Sequence, residues 1–305
     1  MKARRNPPRS GAALLAALWL LLAASVLGAT TLVAATSAIA SASNRIVLQR
    51  SEWIEEGCLQ TFMALLAELS EREGAHDEAW RAMDSVLSTR PYPDVGCAMS
   101  VRPVGLGVSL ATGSALEFHW LMCLNGEIGA QADSMSAALV DWRDVDDEAV
   151  SYGAERDWYA KRRRAIPRNG LISSFRELQH VRGFESVDTT AGLLGLERGR
   201  VWLARAPDRV VAAATGVRES AVRDLRARLL RPLTVADVGL MRDTARSSTG
   251  GVCEPPNPDH LDGVTDSPDG WVLRASRPGP PANWVEYALD RVGRHMFVAR
   301  RRSWP

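Results

Sequence analysis

The chain has 305 residues, and 46% of them are hydrophobic, so it can bury a sizeable core and is not a disordered chain. Its 37 lysine and arginine residues nearly balance its 36 aspartate and glutamate residues, which leaves no net charge that would favour nucleic acid as a partner. The charges are distributed unevenly, because every charged residue before residue 45 is basic and the first acidic residue is Glu52. The chain therefore begins with a basic N-terminus.

An apolar stretch follows these basic residues. No charged residue occurs from Gly11 to Ala42, whereas a helix needs only about 20 apolar residues to cross a bilayer. Since the basic residues lie on its N-terminal side, the positive-inside rule predicts one transmembrane helix over 12–42, with residues 1–10 in the cytoplasm and the rest of the chain exported.

Two interpretations of this segment remain open. The triplets 38–40 and 40–42 fit the small-residue cleavage pattern of a secretory signal peptide, although the apolar region of such a signal is only about 7 to 15 residues long. Alternatively, a short basic leader ends at Gly11 and the apolar helix starts at Ala12. This arrangement resembles the type IV prepilin leader, and the resemblance implies that a prepilin peptidase cuts after Gly11 and methylates the new amino terminus of Ala12.

The fifth residue after Gly11 is Ala16, where most pilins and pseudopilins carry a glutamate. A carboxylate within an apolar span is costly unless it finds a partner, such as the amino terminus of an adjacent subunit. The K-type minor pseudopilin of type II secretion typically lacks this glutamate, so the departure at Ala16 resembles that member of the family.

The helix is predicted to continue beyond the membrane as an amphipathic segment, because apolar residues recur at three- and four-residue spacing from Ile54 to Leu69. Gly74 ends it, and a second short helix is predicted at 80–87. All four cysteines follow the span, on the exported side, where disulfides persist. Three full pairings are open, and some of the four could instead be small buried residues. The candidates are Cys58, Cys97, Cys123 and Cys253.

Two regions have the alternation and composition of strands. The first comprises 95–101, 104–110 and 116–124, and the second comprises 270–275, 284–289 and 295–299. A proline-rich turn and the Val292-Gly293 turn divide the second region, which predicts an antiparallel meander. Between them, 133–245 reads almost entirely as helix. The simplest architecture is a helical domain inserted into a β-sheet domain.

This insert carries the most specific resemblance in the chain. An acidic string around an Asp-Trp pair is followed by Gly-Ala-Glu, a turn with proline and asparagine, and a Ser-Xaa-Xaa-Glu-Leu helix, in the order and spacing of the K-type minor pseudopilin over about 45 residues. The residues of this motif are Asp141, Trp142, Asp144, Asp146, Asp147, Glu148, Gly153, Ala154, Glu155, Asn169, Glu177 and Leu178.

Local chemistry allows two interpretations of this motif. Ser174 and Glu177 have the spacing of a capping box. Four acidic residues between 144 and 148 crowd the C-terminal end of a helix, against its dipole, so they need arginine partners, backbone amides or a cation. The motif is therefore either a capped and salt-bridged turn that shapes the domain or a functional cation site.

Helix-hairpin-helix-like units at Gly183 and Gly216 raise a rival hypothesis, because such units often bind nucleic-acid backbones. Examples that bind DNA generally present two glycines in the hairpin, whereas here the second glycine is missing in both. The helix after Gly216 is rich in arginine, but Glu219 and Asp224 interrupt it, which favours a solvated face over a phosphate groove.

No catalytic motif was found, and the five histidines are scattered, so the sequence predicts no enzyme and no required cofactor. A proline-rich loop before the terminal meander contains Asp259, Asp262, Asp266 and Asp269. Oxygen ligands on a loop suit calcium, and the resemblance implies calcium sites in this family and its relatives. The spacing matches no calcium-loop motif, so a solvated acidic loop is the alternative.

The resemblance implies an α+β pseudopilin fold: a long N-terminal transmembrane helix, an antiparallel β-sheet, and a large inserted α-helical domain. The predicted boundaries are a leader at 1–11, the span at 12–42, the first part of the β domain at 43–132, the insert at 133–245 and the rest of the β domain at 246–305.

The implied function is that of an inner-membrane minor pseudopilin with a periplasmic globular domain, which initiates or caps the pseudopilus tip for protein export. Its implied partners are the I- and J-type minor pseudopilins, other pseudopilins and a prepilin peptidase, with no nucleic acid expected. The alternatives are a minor pilin of a type IV pilus or competence system, acting in adhesion or DNA uptake, and a simple membrane-tethered binding protein.

Overall fold

The computed structural model describes residues 10–73, 98–127, 129–185, 192–241, 253, 261–276, 284–292 and 295–304. The chain divides into two compact units, Met1–Glu56 and Gly57–Pro305. The predicted helix at 80–87, Gly74, Cys97 and Asp259 lie outside the described residues.

The first unit consists of most of helix α1, Ser10–Glu73, which continues into the second unit. Its apolar side chains from residue 12 to residue 50 are exposed, and the helix is long and apolar enough to cross a membrane. The hydroxyl groups of Ser25, Thr30, Thr31 and Thr36 donate to carbonyls three or four residues earlier in the same helix. These polar side chains therefore need no water or partner, as a lipid environment requires.

Among the residues that the structure describes, the second unit contains eight strands and seven further helices. The strands are β1 Ala98–Pro103, β2 Val108–Ser109, β3 Leu194–Gly195, β4 Val201–Trp202, β5 Val264–Thr265, β6 Gly270–Ser276, β7 Trp284–Val292 and β8 His295–Trp304. The helices are α2 Ala115–Leu124, α3 Ala130–Arg143, α4 Arg156–Lys161, α5 Phe175–Leu178, α6 Asp208–Thr215, α7 Glu219–Arg228 and α8 Val235–Met241.

One antiparallel sheet is formed by the strands in the order β1-β6-β7-β8. The meander predicted near the C-terminus is confirmed, because β6, β7 and β8 follow one another in both sequence and space. The end of α1 that belongs to the second unit packs on this sheet: Leu59, Phe62 and Leu66, at helical spacing, form a core with strand residues. The strand residues of this core are Trp271, Leu273, Val285, Tyr287 and Leu289.

The described residues between β1 and β6 form a second part of this unit, with its own larger core. Helix α6 lies in this core, since every residue from Val210 to Thr215 is buried, and the indole of Trp120 donates to the Ala212 carbonyl at 3.1 Å. Two short parallel pairs, β2 with β3 and β4 with β5, flank the helices. The insert is therefore mainly helical but not entirely so.

The strand predicted at 116–124 is wrong, because this segment forms α2. Ser114 and Glu117 make a reciprocal capping box at its start, and Phe118, Trp120, Leu121 and Met122 are buried on several sides of the helix. An apolar run that is buried all round has no clear period, which removes the sequence signal that separates helix from strand. The strand predicted at 104–110 shrinks to β2.

A buried ionic cluster joins the insert to the sheet within the second unit. Glu197, only 3% exposed in its side chain, accepts a hydrogen bond from Arg300 at 2.7 Å. Arg102 of β1 and Arg302 of β8 lie 3.7 and 3.8 Å from the same carboxylate. Burial lowers the pKa of Arg302, and the charge of Arg300 lowers it further. One buried carboxylate thus contacts arginines from both edge strands of the sheet.

Candidate functional site

Asp141 lies near the C-terminal end of α3 and is completely buried. Its carboxylate accepts hydrogen bonds from the backbone amides of Val150 at 3.1 Å and Ala154 at 2.6 Å. Burial raises its pKa, and these two hydrogen bonds lower it in part. A Cβ atom at Gly153 would overlap this carboxylate, so glycine is required where the loop passes it. Asp141 therefore fixes the path of the acidic loop from 144 to 155.

This loop returns two further carboxylates to Asp141. One oxygen from each of Asp141, Asp144 and Glu155 lies within 4.8 Å of the others. Asp144 Oδ1 and Glu155 Oε1 are buried without a hydrogen-bond partner in the described part of the chain. Burial, and then the charge of Asp141, raises the pKa of Glu155 to about 7. Burial and the charges of Asp146 and Asp141 also raise the pKa of Asp144.

Three acidic oxygens at this separation repel one another and fit the oxygen ligands that a hard cation such as Ca²⁺ requires. An open groove of about 530 Å³ adjoins Glu155 and gives access from solvent. Its walls also include Asp147, Gly153, Arg156 and Trp158. The arrangement can thus hold a cation, with Asp141, Asp144 and Glu155 as ligands.

The remaining acids of the string shape the loop. Asp146 Oδ1 accepts from the Glu148 amide, and Asn169 donates to the Asp146 carbonyl and to Asp147 Oδ1. Arg156 lies 3.6 Å from Asp147, with both side chains more than half exposed, so this pair adds little stability. Glu148 is exposed.

Trp142 and Glu177 connect this loop to α5. The Trp142 indole donates to Glu177 Oε1 at 3.1 Å, while Glu177 Oε2 accepts from both the amide and the hydroxyl of Ser173 at 2.8 Å. Ser174 caps α5 as predicted, but the Glu177 carboxylate takes the Ser173 amide instead of the Ser174 amide, so the predicted reciprocal capping box is wrong. Leu178 is fully buried in the core.

The described carboxylates of the acidic loop before β6 make separate contacts and do not form one cluster. Asp269 forms two hydrogen bonds with the guanidinium of Arg200, and Asp266 Oδ1 accepts from the Val235 amide at 2.7 Å. Asp262 is exposed. Among the described residues, carboxylates therefore gather around Asp141 and not in this loop.

The helix-hairpin-helix-like units contribute buried residues to the hydrophobic core. Gly183 and Gly216 have φ of 87° and 69°, so both make left-handed turns that favour glycine. Arg226 bonds to Asp208 and to two backbone carbonyls, and Arg231 bonds to Asp237. Because the guanidinium groups of Arg226 and Arg231 bind within the protein, they do not form a phosphate-binding groove.

The processing residues and cysteines are placed as follows. Gly11 and Ala12 lie in the first turn of α1. Cys123 is bonded to Cys253, which excludes the two pairings that separate them, and Cys58 is also in a disulfide. Among the residues that the structure describes, no cysteine is free.

A family model and a solved structure are similar to this chain. A family model described as "Type II secretion system (T2SS), protein K" matches residues 112–191, which include the whole string from Asp141 to Leu178. A chain in the solved GspK-GspI-GspJ complex from the type 2 secretion system of enterotoxigenic Escherichia coli has the same fold, with a TM-score of 0.51. The match covers 81% of this chain and 99% of that chain, at 14% sequence identity. The family-model match and the structural match together support a type II secretion system minor pseudopilin of the K type.

Proteins K are minor pseudopilins, structural components of the secretion system, and the type IV pilus alternative is not favoured. A comparison with curated proteins finds no match. Within the matched residues the Asp-Trp string forms one connected structure: Asp141 orders the loop, Trp142 contacts Glu177, and Asn169 closes the turn.

Sequence reasoning missed two features of the second unit. Arg143, next to Trp142, donates to the carbonyls of Leu110 and Gly113 and so ties α3 to β2. His119 lies beside the disulfide of Cys123. The four-residue spacing of His119 and Cys123 would have predicted that contact if 116–124 had been read as a helix.

Glu177→Gln is expected to lower the free energy of unfolding at pH 7 by about 1 to 3 kcal/mol, because hydrogen bonds to a charged acceptor become bonds to a neutral one. Burial alone would raise the pKa of Glu177, but hydrogen bonds from Ser173 and Trp142 and the charge of Arg168 bring it below its ordinary value of 4.5. The stabilisation is therefore present above that pH and is lost as the pH falls through the lowered folded-state pKa.

Urea unfolding of both proteins at pH 7 and at decreasing acidic pH measures this effect, and the two curves should converge in acid. The control is Asp224→Asn on the exposed face of α7, which should change stability by less than about 0.5 kcal/mol at either pH. A Glu177→Gln deficit that stays constant down to low pH would contradict the role of the charge.

Proposed function

We propose that a prepilin peptidase cleaves this K-family protein after Gly11 and methylates Ala12, and that the mature chain stays in the inner membrane. The support is the basic leader, the glycine at its end and the apolar helix that begins at the next residue. The positive N-terminus stays in the cytoplasm, so the second unit lies in the periplasm. Disulfides at Cys58 and Cys123 fit that oxidising compartment.

The second part of the proposal is a position at the pseudopilus tip, in a complex with the I- and J-type minor pseudopilins. The observation that carries it is the protein K match over 112–191, and the solved complex of GspK with GspI and GspJ supplies the partners by analogy. The tip complex starts or caps the short filament that moves folded substrates towards the outer-membrane channel.

The insert supports this position on steric grounds. A subunit inside a helical filament must leave room for neighbours above and below it, whereas a terminal subunit needs room on one side only. The described residues between β1 and β6 form an added folded part with its own core and disulfide. Such an addition is tolerated best where no further subunit follows.

The third part of the proposal is that Ca²⁺ binds Asp141, Asp144 and Glu155. The two buried carboxylate oxygens without hydrogen-bond partners support it, because each would cost about 1 to 3 kcal/mol or more if left unpaired. Ca²⁺ takes six to eight oxygens, so backbone carbonyls and water would complete the set. The cation would neutralise the repulsion within the loop and stabilise it for contact with partners.

Intact mass and N-terminal sequencing of the membrane protein test the processing step. Co-expression with a prepilin peptidase should yield a chain that starts at N-methylated Ala12, and Gly11→Val should leave the full leader in place. Gly28→Val, a matched change within the span where a Cβ meets nothing, should not affect cleavage. Cleavage near Ala40 or Ala42 would make the chain a soluble exported protein and overturn the anchor.

Co-expression with the I- and J-type minor pseudopilins tests the tip complex. Native mass spectrometry should detect one copy of each protein in a single assembly. The control is a matched pair of minor pilins from a type IV pilus, which share the leader type and should not co-purify. Equal recovery of both pairs, or of neither, would contradict the proposed partners.

Calcium should raise the midpoint temperature of unfolding of the wild-type protein, and a chelator should lower it. A ligand at 100 times its Kd stabilises the folded state by about 2.7 kcal/mol. Asp144→Asn should abolish this gain while leaving the calcium-free protein as stable or more stable, since it removes one of the repelling charges.

Because Glu155 with a pKa of about 7 also binds a proton, the gain should be smaller at pH 6 than at pH 8. An unchanged calcium response in Asp144→Asn, with Asp224→Asn as control, would exclude this site.

A further inference from the structure

A second group of potential metal ligands lies at α2 and shares no residue with the acidic loop. His119 and Cys123 are four residues apart on this helix, and Cys253 is disulfide-bonded to Cys123. One ligand atom from each of the three residues lies within 4.8 Å of the other two. Cys253 is buried, and the side chain of His119 is only 14% exposed. The group is therefore enclosed and not a random surface cluster.

The imidazole of His119 is held in one orientation. Its Nε2 lies 3.5 Å from Cys123 Sγ, and its Nδ1 lies 3.1 Å from Asp133 Oδ1 on helix α3. With Nδ1–H donating a hydrogen bond to the Asp133 carboxylate, Nε2 is the nitrogen that lies against Cys123 Sγ. Zinc-binding histidines have this same arrangement, in which a carboxylate fixes the tautomer and leaves the other nitrogen free for the metal.

The distances fit a tetrahedral zinc centre. Zinc bonds of about 2.3 Å to sulfur and about 2.0 Å to nitrogen place N and S ligands about 3.5 Å apart at the tetrahedral angle. The observed separation of His119 Nε2 and Cys123 Sγ is 3.5 Å. In the reduced protein, two thiolates bound to one zinc ion at these bond lengths would lie about 3.8 Å apart.

We propose that His119, Cys123 and Cys253 form a redox-gated zinc site. In the oxidised protein the two cysteines form the disulfide and no thiolate is present to bind metal. A dithiol reduces this bond by exchange: the dithiol becomes a disulfide, and Cys123 and Cys253 each gain one proton and one electron as thiols. Zn²⁺ then displaces both thiol protons and binds two thiolates and His119 Nε2, with water at the fourth position.

This chemistry would preserve the fold in both redox states. The disulfide closes a loop of 130 residues and ties α2 to the segment at Cys253. Reduction alone would release that constraint and the stability that comes with it. A zinc ion held by the same two sulfur atoms restores the connection, so the K-family protein could keep its insert closed before oxidation or after exposure to a reductant.

Titration of the reduced full-length protein in detergent with Co²⁺, followed by displacement with Zn²⁺, tests the site. The cysteines are reduced by a phosphine under anaerobic conditions and the phosphine is removed. The expected signals are thiolate-to-cobalt charge-transfer bands, the strong visible absorption of tetrahedral cobalt, and the release of two protons for each Zn²⁺ bound. The oxidised protein should give none of these signals at this site.

Matched histidine variants separate this site from binding by the other two cysteines. His119→Gln keeps all four thiols and should weaken Zn²⁺ binding at least tenfold with loss of the tetrahedral spectrum, whereas His180→Gln, on an exposed residue, should not. Asp133→Asn should weaken binding by about 10- to 100-fold while the tetrahedral spectrum remains, as expected for an orienting residue. Identical spectra and affinities in wild type and His119→Gln would overturn the proposal and leave a purely structural disulfide.

Discussion

The buried carboxylate of Asp141 is the constraint on which the insert depends. A carboxylate taken out of water must find hydrogen-bond donors, and here the two donors are backbone amides of a loop up to 13 residues further along the chain. The loop can pass close enough only because residue 153 is glycine. One side chain at the end of α3 thus fixes a loop whose larger apolar side chains, Val145, Val150 and Tyr152, are exposed.

The position of Asp141 also produces repulsion between the carboxylates of the site. By folding the loop back, Asp141 brings Asp144 and Glu155 close to its own charge, and burial together with nearby carboxylates raises the pKa of each. Trp142, the next residue, faces the other way and donates to Glu177, whose carboxylate has ample donors and a lowered pKa. Asp141 and Trp142 are neighbours in α3, but the carboxylates beside them differ. Both oxygens of Glu177 accept hydrogen bonds, whereas Asp144 and Glu155 each have a buried oxygen without a hydrogen-bond partner in the described residues. Such a pair has a physical reason to bind a cation.

The sequence predicted those parts of the fold whose signal is local. The terminal meander alternates and has turn residues between its strands, and the amphipathic end of α1 has helical spacing. The segment of α2 was predicted as a strand because its buried residues lie on several sides of the helix, although Ser114 and Glu117 already marked a helix start. The approach of Glu155 to Asp144 and of His119 to the disulfide depends on packing between elements, so no local pattern could have predicted it.

The two units of the chain differ in the polar groups that they present. Within the apolar part of α1, the serine and threonine hydroxyls return to carbonyls of their own helix, and Ala16 replaces the carboxylate that could pair with an adjacent subunit. Such a span offers a neighbour packing surface but no charge to satisfy. In the second unit, by contrast, hydrogen bonds and ion pairs hold the buried carboxylates of Asp141 and Glu197, which fix the loop and the strand edges around them. A substitution of either carboxylate would therefore change the second unit and leave the apolar part of α1 intact.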